Sequence, residues 1–152
     1  MSDPFTFTST TPRLGLPNLF TAQAQKEMTV NEAFALIDAL LHPVVEGMAN
    51  DPPASPVEGE CWIVNGQPTG DWANDAGKIA CRQAGNWLFA TPTNGMVVFD
   101  KSVSQNIRYD SGWTSASAVT LPTGGGTVDV EARAAISEVV AALEAAGILA
   151  GS

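Results

Sequence analysis

The chain has 152 residues, 45% of them hydrophobic and only 15% charged, with a formal net charge of −9 from 16 acidic and 7 basic side chains. The length suits one domain with an appendage. Lys26, Lys78, Arg82, Lys101 and Arg108 stand singly, so no basic patch is available for a phosphate backbone and nucleic acid is not an expected partner. A charged fraction well below the roughly 25% of ordinary soluble domains favours burial of surface against other proteins.

Met1–Pro12 is rich in Ser, Thr and Pro and lacks the basic-then-apolar order of an export signal. No run approaches the ~18 apolar residues that span a bilayer, so no membrane partner is expected either. On this reading the chain matures in a reducing cytoplasm. Cys61 and Cys81, on two apolar segments that could be neighbouring strands, are then expected to be buried free thiols, with a disulfide between them the alternative. Two cysteines and one histidine do not compose a standard zinc site.

Residues 1–19 form an extended N-terminal arm broken by Pro4, Pro12 and Pro17. Leu14, Leu16, Leu19 and Phe20 make the end of this arm too apolar for a free tail, and it is expected to pack on another subunit. An α+β domain over 20–116 follows, opening with a helix at about 21–42. There Val30, Phe34, Ile37 and Leu41 recur at helical spacing, widened by Ala33, Leu36 and Leu40. Thr29 and Glu32 fit a capping box, an earlier start near Thr21 stays open, and Pro43 ends the helix. Asn50–Pro56, with three prolines, is a rigid loop.

From about 59 to 116 the period shortens to that of strands. Glu60–Val64, Lys78–Arg82, Asn86–Ala90, Met96–Asp100 and Gln105–Tyr109 are separated by Gly- and Asn-bearing turns. This pattern predicts a small antiparallel meander, with Lys78–Arg82 and Asn86–Ala90 as its clearest hairpin and the helix packed on one face. A linker over 117–127, ending in Gly124-Gly125-Gly126, reads as a flexible hinge. The last element, 128–152, is a helix with Asp129 as N-cap and Gly147 as a left-handed C-cap. Its seam of Ile136, Val139, Val140 and Leu143 predicts oligomerisation or docking, because a helix this short is marginal alone. Packing on the parent sheet is the alternative.

Catalytic constellations are missing, and no enzyme, cofactor or metal is expected. His42 sits at a helix end and reads as a C-cap. The triple glycine lacks the Lys and Ser/Thr of a phosphate loop. Asp71, Asn74 and Asp75 lie in a glycine-bounded loop, but their spacing fits no EF-hand, and such residues are ordinary turn chemistry. Of the four tryptophans, Trp62 and Trp87 fall in strands and read as core. Trp72 falls in a loop and is the candidate saccharide contact.

Thr11-Pro12-Arg13-Leu14-Gly15-Leu16-Pro17, Ala22-Gln23-Ala24-Gln25-Lys26-Glu27 and Asn31-Glu32-Ala33 resemble the start of the DUF2793 family of alphaproteobacterial prophages and gene transfer agents. Gly59–Val64, the stretch from Asn86-Trp87 to Gly112-Trp113, and the helix opening at Val130–Ile136 look like the same domain continuing. The family brings no catalytic residues to carry over. The resemblance implies a homo-oligomeric virion protein, assembled in the bacterial cytoplasm and displayed as a head spike on a phage-like particle. Its implied partners are the capsid protein at the vertex and a spike fibre protein. Capsular polysaccharide is a further implied partner, and a saccharide-binding module is the rival to a base or adaptor role.

Overall fold

The computed structural model of the chain describes residues 10–13, 16, 18, 26–126 and 129–151. The fold is α+β. Its elements are α1 (Lys26–Leu40), β1 (Val44–Val45), β2 (Met48–Ala49), β3 (Cys61–Val64), a 3-10 turn at Gly70–Trp72, β4 (Ile79–Gln83), β5 (Asn86–Ala90), β6 (Val97–Asp100), β7 (Gln105–Tyr109), β8 (Trp113–Thr114) and α2 (Val130–Ala145). They divide into two compact units, Met1–Pro92 and Thr93–Ser152. The division falls inside the span expected to be one 20–116 domain, and α2 groups with β6–β8 instead of standing apart.

In the first unit the strand order is β2-β3-β4-β5. β2 runs parallel to β3, with Met48 opposite Ile63, so the sheet is mixed and not a pure meander. The eleven-residue loop from Asn50 to Glu60 allows this, because it is long enough to carry the chain back to the same end of the sheet. The expected hairpin is present, β4 pairing with β5 from Ile79–Ala90 to Gln83–Asn86. Its two-residue turn, Ala84-Gly85, has φ of 50° and 76°, the left-handed pair whose twist suits a tight hairpin. Glu58 holds that turn, its carboxylate accepting from the Ala84 N–H at 2.6 Å and the Gly85 N–H at 2.8 Å.

Alternation gives the sheet two covered faces. Val64, Ala80 and Trp72 pack on one, with Ala49, Trp62, Trp87 and Phe89 around them. Cys61, Ile63, Ile79 and Cys81 are buried on the other. Among the described side chains of α1, the buried ones are Ala35, Asp38 and Ala39. These are small or hydrogen-bonded side chains at i, i+3 and i+4, so the helix packs by its narrow face. Of the apolar stripe, Val30, Phe34, Leu36 and Leu40 are half-buried, and Ile37 and Leu41 are exposed. Helix is already present at Lys26, so Thr29 and Glu32 lie within α1 and are not its capping box.

Of the segment expected to be an extended arm, residues 10–13, 16 and 18 are described. Thr11 is buried and closes a turn, its N–H donating to the Leu16 carbonyl at 2.9 Å and its Oγ1 accepting from the Leu16 N–H at 3.0 Å. Arg13 then reaches the end of α1, donating to the carbonyls of Ala39 at 2.7 Å and His42 at 2.6 Å. The C-terminal cap of α1 is therefore Arg13, and the His42 side chain is exposed. Gly59 permits the approach. A Cβ there would stand 3.2 Å from Arg13 Cγ, at a φ of +85°.

In the second unit β6, β7 and β8 are antiparallel, Val98 facing Ile107 and Tyr109 facing Trp113. Asp129 caps α2 by accepting from the Ala132 N–H at 2.9 Å. Gly147, at φ +67°, ends it: its N–H donates to the Glu144 carbonyl, and the Ile148 N–H donates to that of Leu143, both at 2.9 Å. This is the paired Schellman pattern that the sequence suggested.

Hydrogen bonds hold described parts of the linker, and the residues after α2, to this unit. The Arg133 guanidinium donates to the carbonyls of Pro122 at 2.8 Å and Gly124 at 2.7 Å, fastening the linker to the helix. At the other end the Asn106 N–H donates to the Gly147 carbonyl at 2.7 Å. Gln105, itself buried, shares its amide between the carbonyls of Ala116 at 2.6 Å and Ile148 at 3.1 Å.

Candidate functional site

The sequence places Trp72 on the surface, and the structure corrects this: the side chain is 0% exposed. The loop after β3 folds over the sheet because its main chain is satisfied locally. Thr69 donates to the Asn50 carbonyl, Trp72 to that of Thr69, Asp75 to that of Trp72, and Gly77 to that of Val64. Thr69 Oγ1 also donates to the Asp51 carboxylate. Asp75, one of the loop acids weighed for cation binding, carries Lys78 Nζ at 2.7 Å. A two-layer unit this small lacks bulk on its open face, and the loop supplies an indole as a lid.

Burying Trp72 leaves Trp87 partly exposed. The two indoles meet edge to face, centroids 5.1 Å apart and planes at 82°, and the Arg82 guanidinium carbon lies 5.2 Å from the Trp87 ring centre. Trp87 borders a groove of about 480 Å³, together with Asn31, Glu32 and Ala35 of α1 and Gln83, Asn86 and Leu88 of the β4–β5 hairpin. Trp87 and Asn86 also border a smaller hollow of about 300 Å³ with Asp71 and Arg82. Asn18 also lines the larger groove, so four amides, one carboxylate and a flat apolar ring offer paired donors and acceptors beside a stacking surface. That chemistry suits a neutral, polyhydroxylated ligand. Sequence reading missed it because it ranked each tryptophan by its own element, whereas the groove depends on which tryptophan the loop covers.

The second feature is apolar. No residue of α2 is fully buried. Within its predicted seam Ile136 is 46% and Val139 58% exposed, while Val140 and Leu143 are half-buried. On α1, Leu36, Ile37, Leu40 and Leu41 line a shallow apolar hollow of about 300 Å³. Of the arm residues expected at an interface, Leu16 is half-buried, and Leu14, Leu19 and Phe20 lie outside the described residues.

Two thiols form the remaining reactive group. Cys61 and Cys81 face each other across β3 and β4 as buried free cysteines, Sγ to Sγ 3.1 Å. The hydrogen bond with Cys81 pulls Cys61 below the usual thiol value, with the positive charge of Arg13 adding to the effect. The same hydrogen bond and burial push Cys81 up. No group of three or more metal-ligating side chains occurs among the described residues.

Compared with known families, residues 30–114 match the family described as a protein of unknown function, DUF2793. No curated protein and no solved structure matches the chain.

Proposed function

For a chain that belongs to the DUF2793 family, we propose a structural, non-enzymatic role: a homo-oligomeric base or adaptor in the head spike of a phage-like particle, seated on the capsid vertex and holding a fibre. The observation that carries this reading is the outward-turned apolar seam of α2, a helix fastened at both ends to its own unit yet without a single buried residue. An element so rigidly presented, with Ile136 and Val139 open, is built to receive another surface. The exposed Ile37 and Leu41 of α1 point the same way, as does the low charged fraction.

The test is the mass in solution. Light scattering of the purified chain is expected to give a defined multiple of 15.8 kDa. A monomer at every concentration up to the limit of solubility refutes the reading.

The Trp87 groove favours a second reading, binding of a capsular polysaccharide. A glycan array should then show affinity for neutral saccharides that Trp87→Ala abolishes. An array without signal leaves the groove no such role.

A further inference from the structure

Cys61 and Cys81 are register partners on antiparallel strands. The neighbouring pair is the hydrogen-bonded one, the Arg82 N–H donating to the Glu60 carbonyl at 2.8 Å. The two cysteines therefore occupy a position where the strands approach to about 4.5 Å between Cα atoms and both side chains leave the same face. That spacing lies within the range a disulfide tolerates. With the sulfurs at 3.1 Å, a shift of about 1 Å would bond them. No other cysteine competes for either partner.

We propose that Cys61 and Cys81 are an oxidation site, a dithiol that a peroxide converts into a cross-strand disulfide stapling β3 to β4. The Cys61 thiolate attacks one oxygen of hydrogen peroxide, the O–O bond breaks, and the departing hydroxide takes up a proton as water. Cys61 is then a sulfenic acid. Cys81 attacks its sulfur, the S–O bond breaks, and a second water leaves. Two thiols and one peroxide become one disulfide and two waters, the peroxide being reduced as the sulfurs are oxidised. Cys61 is the first nucleophile because its partner thiol and Arg13 favour its anion. The two cysteine residues are only 2% and 4% exposed, which selects a small oxidant over a bulky disulfide. The bond would close the loop that carries Trp72 over the sheet. On the particle reading above, this staple sets after the chain leaves a reducing interior. The chemistry itself requires only the folded chain.

The experiment exposes the reduced, purified full-length chain to hydrogen peroxide and measures intact mass and free thiols in denaturant. Expected are a loss of two hydrogens, disappearance of both thiols, and a melting temperature raised by about 5–10 °C that reductant reverses. Trypsin cuts after Lys78 and Arg82, so the peptide Ile79–Arg82 should stay attached to the peptide bearing Cys61 until it is reduced. Cys81→Ser should lose the attachment and retain only added oxygen. Two thiols still titratable after treatment, cross-links only between chains, or oxygen addition in the wild type without loss of two hydrogens would each overturn the proposal. None of these outcomes depends on the oligomeric state, so the test is independent of the assembly reading.

Discussion

Arg13 donates two hydrogen bonds to Asp38: its main-chain N–H to the carboxylate at 2.9 Å, and its guanidinium to the main-chain carbonyl at 3.0 Å. With the carbonyls of Ala39 and His42 on the same guanidinium, one side chain satisfies three acceptors at the end of α1. Arg13→Ala should therefore destabilise the first unit by about 2 kcal/mol. Arg13→Lys should recover little of that, because one ammonium cannot span the fork of acceptors. Urea unfolding followed by tryptophan fluorescence measures both. Equal stability of Arg13→Lys and wild type would show that charge alone caps the helix.

Arg13 also marks what the sequence could not disclose. It lies in the segment that resembles the start of the family, yet its partner is 25 residues away and nothing local signals the bond. His42 is the basic side chain nearest the helix end in sequence, so proximity alone assigns it the capping role. Local signals fared better where both partners were near. The Asp129 cap, the Gly147 terminator and the hairpin of Lys78–Arg82 with Asn86–Ala90 are all legible in the sequence. The α1 orientation could not. Periodicity identifies an apolar stripe but does not say that three small or hydrogen-bonded residues face inward instead.

The two neighbouring indoles should respond differently to truncation. Trp72→Ala removes a fully buried lid and is expected to cost about 3–5 kcal/mol. Trp87→Ala removes a partly exposed ring and should cost about 1–2 kcal/mol. Thermal melts of the two variants decide whether the loop indole or the strand indole is the core residue. Reversal of that order would restore the surface assignment for Trp72.

Ala84 sits at φ +50° without the side-chain amide that makes such a conformation easier. Its N–H is already held by Glu58, and the position is exposed, so a larger polar residue meets no obstacle. Ala84→Asn is expected to raise stability by about 0.5–1 kcal/mol, since Asn-Gly is the preferred pair for this turn. An unchanged or lower denaturation midpoint would mean that the Glu58 clamp already determines the turn.

Gln105 anchors the last residues of the chain. Gln105→Leu keeps the volume but strips the carbonyls of Ala116 and Ile148 of their donor, an expected loss of about 1–3 kcal/mol within the second unit. Hydrogen exchange should then quicken at the Asn106 and Ile148 amides, which are bonded to this segment, while β4 and β5 keep their protection. Uniform acceleration across the chain would instead mean that the residue supports the whole fold.

The seam of α2 gives the most direct test of assembly. Ile136 and Leu143 lie seven residues apart on one helix face, the first about half exposed and the second half-buried. If a second copy covers them, the double change Ile136→Asp and Leu143→Asp places two carboxylates per chain in an apolar contact. Association should then weaken by at least 100-fold in dissociation constant, about 2.7 kcal/mol. The helix itself should survive, because the Asp129 cap, the Arg133 clamp and the Gly147 terminator lie outside the altered face. Light scattering reads the first effect, circular dichroism and tryptophan fluorescence the second. A variant that stays associated would place the contact elsewhere, with the exposed Ile37–Leu41 face of α1 the next to alter. A variant that loses its helix and its β-sheet signal together would show that Leu143 belongs to the core of its own unit, and the seam would no longer support assembly.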